Sequence, residues 1–164
     1  FIEMNTRVQV EHPITEEITG IDIVKWQLMI AAGEKLNIKS EDIEIKGHAI
    51  ECRINAEDPY KDFRPSPGKI TSLHLPGGRG VRIDSHIYQG YDFLPHYDSL
   101  AAKLITSAPT RKKAIAKMRT ALEEFIIEGI HTTIPFHLKM MSHPVFIAGE
   151  ADTNFLENND WEKI

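Results

Sequence analysis

The chain has 164 residues, 41% of them hydrophobic and 26% charged, a balance that excludes disordered, collagen-like and coiled-coil architectures. Its net charge of −5 argues against a broad nucleic-acid-binding surface. A single cysteine, Cys52, excludes an intrachain disulfide and a cysteine-only zinc site, and no apolar run approaches the roughly 20 residues a membrane helix needs.

Residues 1–12 (FIEMNTRVQVEH) alternate between apolar and polar side chains, which predicts a strand ended by Pro13. A chain that opens inside a strand is expected to be a piece of a longer protein. Thr15 with Glu16 and Glu17 suits a helix start interrupted at Gly20. Ile21 to Ala32 follows as an amphipathic helix stopped by Gly33. Residues 34–47 read as loop, and Ala49 to Ala56 as a strand. Residues 57–68 are rich in proline and acidic groups and read as loop again. Lys69 to Leu75, Val81 to Ile87 and Leu100 to Thr106 are further strand candidates, with a glycine turn over 76–80. Thr110 to Ile127 is the clearest helix, capped by Thr110 and stopped by Gly129. Pro135 to Met141 suggests a short helix with proline in its first turn, and the tail from Ala148 is polar. The fold class implied is α+β: a largely antiparallel sheet with helices packed on it.

The sharpest chemical signal lies in the first twelve residues. A period of two places Glu3, Asn5, Arg7, Gln9 and Glu11 on one face. Glu3 and Asn5 are hard oxygen donors of the kind Mg²⁺ prefers. Arg7 offers a planar fork for an oxyanion, and Glu11 is placed to take a proton beside it. A solvated strand face is the competing reading. The second signal is Arg53, which shares a face with Glu51 and Asn55. An arginine among core-like residues needs either an anionic ligand or an ion pair with Glu51 or Glu57. The glycines at 77–80 match no phosphate-binding loop. The eight histidines lack zinc-site spacing, and His12, His48, His86 and His96 read as structural. Cys52 reads as packed rather than nucleophilic, and the basic side chains of the 110–127 helix read as a solvated face.

The segment F-I-E-M-N-T-R-V-Q-V-E-H-P-I-T-E resembles the signature of biotin carboxylases, the ATP-grasp component of biotin-dependent carboxylases. The likeness continues through I-A-A-G-E (30–34), E-C-R-I-N-A-E-D-P (51–59), P-S-P-G-K-I (65–70), G-V-R-I-D-S-H-I-Y-Q-G-Y (80–91) and Y-D-S-L-A-A-K-L-I (97–105), fading after about residue 142. The resemblance implies ATP- and bicarbonate-dependent carboxylation of biotin on a carrier protein, by way of carboxyphosphate. By matching position, Glu3 and Asn5 would ligate Mg²⁺ (or Mn²⁺) on the nucleotide phosphates. Arg7 would hold bicarbonate with Gln9 and the backbone around Val10. Glu11 would be the general base, and Arg53 would bind bicarbonate and stabilise the biotin enolate.

The same likeness implies that residues 1–164 form the C-terminal domain of such an enzyme. The lid and most nucleotide-binding residues would then lie outside this chain, and the chain alone would be inactive. Implied partners are a biotin carboxyl carrier protein or domain, a carboxyltransferase component and a second copy in a homodimer, with neither nucleic acid nor membrane. Arg79 and Arg82 occupy dimer-contact positions of the bacterial acetyl-CoA carboxylase type, where Arg82 matches and Arg79 replaces an aromatic residue. Relative to that type there is a small insertion within Tyr60–Arg64. Trp26-Gln27-Leu28 and residues 62–67 lean toward the pyruvate and propionyl-CoA carboxylases. The implied location is the cytoplasm, or the mitochondrial matrix in a eukaryote. A non-catalytic dimerisation or assembly module that retains the motifs is the alternative. A carbamoyl-phosphate synthetase is a weaker enzymatic one, disfavoured by the block around Arg53.

Overall fold

A computed structural model describes residues 1–159 and 161. Residues 1–10 carry no helix or strand, and the expected strand over 1–12 is not formed. Alternation suits an extended backbone, but a strand exists only with a hydrogen-bonded neighbour, and no described strand lies beside this arm. Its face of five aligned polar residues is therefore not formed either.

Helix α1 (His12–Thr19) starts where the expected strand would have ended. Pro13 sits in its first turn, where a missing N–H costs nothing. Gly20 ends it in the left-handed conformation with its N–H on the Glu16 carbonyl. Helix α2 (Ile23–Ala31) is capped by Asp22, whose carboxylate accepts from the Lys25 amide at 2.8 Å. After a short 3₁₀ turn at Ser40–Asp42 come β1 (His48–Asn55), β2 (Glu57–Asp58), β3 (Arg64–Pro65), β4 (Gly68–Lys69), β5 (Ser72–His74), β6 (Val81–Ser85), β7 (Asp92–Phe93) and β8 (Leu100–Ala108). Helix α3 (Arg111–Glu124), β9 (Ile126–Glu128), α4 (Ile134–Met140), α5 (Pro144–Ala148) and α6 (Phe155–Asn158) complete the order.

The main sheet has the order β1-β8-β6 and is antiparallel throughout. Among the described residues three further two-stranded pairs form: β2 with β3, β4 with β7, and β5 with β9. The single strand expected over Lys69–Leu75 is thus two, with different partners. The expected loop at 57–68 holds the β2–β3 pair, with Asp62 and Phe63 in the left-handed region between them. Helix α3 begins at its Thr110 cap as expected but ends at Glu124, three residues early. Phe125 turns extended, and Ile126–Glu128 pair with β5 instead. Gly129 consequently ends a strand rather than a helix. Its φ of 97° brings it so close to the Lys69 carbonyl that no side chain fits.

The core lies on one side of the main sheet. Ile50, Cys52 and Ile54 of β1 and Ala102 and Leu104 of β8 pack against Ala114, Ile115, Met118, Ala121 and Leu122 of α3. The helical spacing of that α3 stripe is what predicts its burial. Helix α4 adds Ile134 and Met140 to the same core. A smaller cluster of Ala56, Ile70, Ile87, Phe93 and Ala101 fills the side of the short pairs. Among the described residues no helix is long and apolar enough to cross a membrane.

Candidate active site

With Cys52, Ile54 and Leu104 committed to the core, the pleat turns the alternate residues of the sheet to its other face. Register sets them in rows. Arg53 of β1 lies opposite Lys103 of β8, which lies opposite Asp84 of β6. In the next row Glu51 faces Ile105, and Ile105 faces Arg82. The result is a polar face carrying three cations and two carboxyl groups.

Helix α1 and the residues just before it lie across this face and are tied to it by charge. Arg82 donates from Nη1 to Glu16 Oε2 at 2.7 Å and from Nε to Asp84 Oδ1 at 2.9 Å. The Ser107 hydroxyl donates to Glu17 at 3.0 Å. Lys103 Nζ donates to the Val10 carbonyl and pairs with Asp84, both at 3.4 Å. Arg53 Nη2 donates to Glu11 Oε2 at 2.9 Å. The Gln9 carbonyl accepts from the ring Nδ1 of His12 at 2.6 Å. Arg7, Gln9, Glu11, His12 and Thr15 border an open cleft of about 230 Å³.

The electrostatics follow from this packing. Burial pushes the Glu51 carboxyl above the usual glutamate range, and the cations Lys103 and Arg53 only partly offset it. Among the described residues its buried Oε2 has no hydrogen-bond partner. The Arg82 guanidinium bonded to Asp84 holds that carboxyl below its usual range. Burial pushes the Cys52 thiol up to about 12, so it is no nucleophile, in agreement with its reading as a packed side chain.

Of the residues singled out in the sequence, Gln9, Val10, Glu11 and Arg53 are brought together. The ion partner of Arg53 is Glu11, not Glu51 or Glu57. Glu3, Asn5 and Arg7 lie exposed on the arm, and Arg7 donates to the neighbouring Val8 carbonyl at 3.4 Å. Glu3 and Asn5 present oxygen donors alone, which suits Mg²⁺ in type. Among the described residues no cluster of three His, Cys, Asp or Glu side chains that could hold a metal forms, so these two would be part of a ligand set. Arg79 is exposed, with its carbonyl accepting from Lys117 Nζ at 2.9 Å, and Arg82 is engaged within the chain as described. Sequence reasoning missed Lys103 and Asp84. A lone lysine between Ala101-Ala102 and Leu104-Ile105 was the available signal, being a charge in an otherwise apolar strand.

Residues 51–158 match the family model described as the biotin carboxylase C-terminal domain. The chain belongs to this family. Residues 1–39 match a second model, the ATP-binding domain of the carbamoyl-phosphate synthase L chain. Biotin carboxylase 1 of Bacillus subtilis is 58% identical over 160 residues, which is 98% of this chain and 36% of that protein. The biotin carboxylase of Haemophilus influenzae is 60% identical over 157 residues, 96% of this chain and 35% of that protein. The biotin carboxylase domain dimer of Hydrogenobacter thermophilus 2-oxoglutarate carboxylase, solved with MgADP, ADP and bicarbonate, superposes with a TM-score of 0.94 at 54% identity. This chain is covered to 96% in that superposition, and the biotin carboxylase domain to 35%. The chain therefore spans about a third of the length of the relatives it matches.

Proposed function

We propose that this chain is the C-terminal part, residues 1–164, of a biotin carboxylase, and that it supplies the bicarbonate- and biotin-handling side of the catalytic site. The observation that carries this reading is the Glu11–Arg53 pair. A guanidinium able to hold an anion meets a carboxylate able to take a proton, and that carboxylate borders an open cleft together with Arg7 and Gln9.

In this reading Arg53 and Arg7 hold the bicarbonate oxygens, and the backbone at Val10, steadied by Lys103, fixes the anion's place. Glu11 accepts the bicarbonate proton, and the oxyanion attacks the terminal phosphoryl group of ATP as ADP leaves. Carboxyphosphate then breaks down to CO₂ and phosphate, and the phosphate takes the ureido N–H proton of the acceptor, biotin on its carrier protein. The ureido nitrogen takes up the CO₂ while Arg53 faces the negative charge that develops on the ureido oxygen. Mg²⁺ (or Mn²⁺), held in part by Glu3 and Asn5, would supply positive charge at the nucleotide phosphates. The carboxyltransferase component, the second copy in a homodimer contacting Arg79 and Arg82, and placement in the cytoplasm or a mitochondrial matrix belong to the same proposal. The carrier and the final carboxyl acceptor follow from the rest of the assembly.

The test is ADP release by the complete protein with Mg²⁺ and bicarbonate, with and without free biotin, beside this chain alone. Biotin-stimulated release by the complete protein and none by the chain is the expected result. A folded, ATP-binding protein that ignores biotin would instead favour the non-catalytic assembly module.

A further inference from the structure

Thr133 precedes α4, at a position where a threonine hydroxyl ordinarily accepts from an amide of the helix's own first turn. Here it makes no such bond. Its Oγ1 instead donates to the Arg53 carbonyl at 3.0 Å and accepts from the Asn55 amide at 3.0 Å. Its own N–H donates to the Asn55 carbonyl at 3.1 Å. One turn later His137 donates from Nε2 to the same Arg53 carbonyl at 2.8 Å. A carbonyl can only accept, so this bond puts the imidazole proton on Nε2. Burial lowers the pKa of His137, consistent with the neutral ring.

These bonds close a weak place in the sheet. Among the described residues β1 is an edge strand, paired with β8. Its register slips between Ile54 and Asn55, beside the residue that meets Glu11. Unpaired edge groups next to a bulge leave the backbone free to shift. The three groups from the start of α4 take up those edge positions, and the Arg53 carbonyl accepts twice. The Arg53 side chain itself is half exposed, so its aim depends on how firmly its backbone is held.

We infer that Thr133 and His137 are positioning residues that clamp the β1 backbone so that the Arg53 guanidinium is presented to the reacting oxyanion. Neither touches the cleft. The inference rests on the role proposed above for Arg53.

The test uses Thr133→Val, His137→Leu and His137→Gln in the complete enzyme, with the thermal midpoint of each variant recorded. Thr133→Val and His137→Leu are expected to lower kcat for biotin-dependent ADP release by about tenfold, the scale of a small misplacement of a reacting group. His137→Gln keeps an N–H donor and is expected to recover most of that loss. Added to Arg53→Ala, neither Thr133→Val nor His137→Leu should lower turnover further. An undiminished further loss in the Arg53→Ala background overturns the inference. So does a Gln variant no better than Leu, or wild-type turnover in both single variants. A wild-type enzyme with no biotin response would sink the functional reading instead, and a crystal structure then decides the clamp. Arg53 still seated on Glu11 in Thr133→Val overturns it, and a displaced guanidinium supports it.

Discussion

Glu11 and Arg53 meet at 2.9 Å, and their side chains remain 52% and 51% exposed. A pair this open to water contributes little to folding, typically under about 1 kcal/mol. Replacing Glu11 with Gln should therefore move the urea midpoint little while lowering biotin-dependent turnover of the complete enzyme by roughly 10²- to 10⁴-fold, the range of general-base loss. Denaturation curves and steady-state kinetics on the same variant check this. Full turnover by a folded Glu11→Gln enzyme would remove Glu11 from the role of base.

Arg82 is expected to behave in the opposite way. Its partner Glu16 has a side chain only 10% exposed, and truncating Arg82 strands that carboxylate. Arg82→Ala should cost about 2 kcal/mol, the scale for breaking a partly buried pair. The loss should concentrate in α1, where hydrogen exchange would report it as faster amide exchange over residues 12–19. Unchanged exchange there would show that α1 is held by other contacts.

Glu51 predicts a pH dependence. Its folded pKa is raised above the ordinary 4.5 by burial, so the folded state binds its proton more tightly than the unfolded chain does. The associated stability is present below the ordinary pKa and is lost as pH rises through the folded one. Glu51→Gln, which never ionises, should thus raise the melting temperature at neutral pH. The gain should disappear below about pH 4, where wild-type Glu51 is protonated in both states. A gain independent of pH would contradict the buried-charge account.

Cys52 gives a probe of opening. The residue is 3% exposed, and burial pushes its thiol up to about 12. A disulfide reagent at neutral pH should label it only through unfolding, at a rate that rises with urea. Rapid stoichiometric labelling of the native chain would show that β1 opens locally.

Much of this architecture was legible because period and burial agree. The polar face of β1 that carries Glu51, Arg53 and Asn55 reappears opposite the core, and Thr110 caps as its type predicts. The first twelve residues failed for a different reason. Alternation reports extended backbone, while a strand also needs a neighbour, which periodicity does not encode. The end of α3 was misplaced because Ile126 and Ile127 suit either a helix or a strand, and β5 decided between them. At the site, Glu11 and Arg53 were readable one at a time, but their pairing across 42 positions follows from how α1 crosses the sheet. Thr133 and His137 gave no sign, since their partners are main-chain atoms of a distant strand.

The open cleft that Glu11 borders also sets the terms on which an anion can enter. The guanidinium already meets Glu11 through Nη2, so an incoming oxyanion shares the cation with a resident carboxylate. A guest at Arg53 therefore also changes what Glu11 faces, so both members of the pair answer to one occupant.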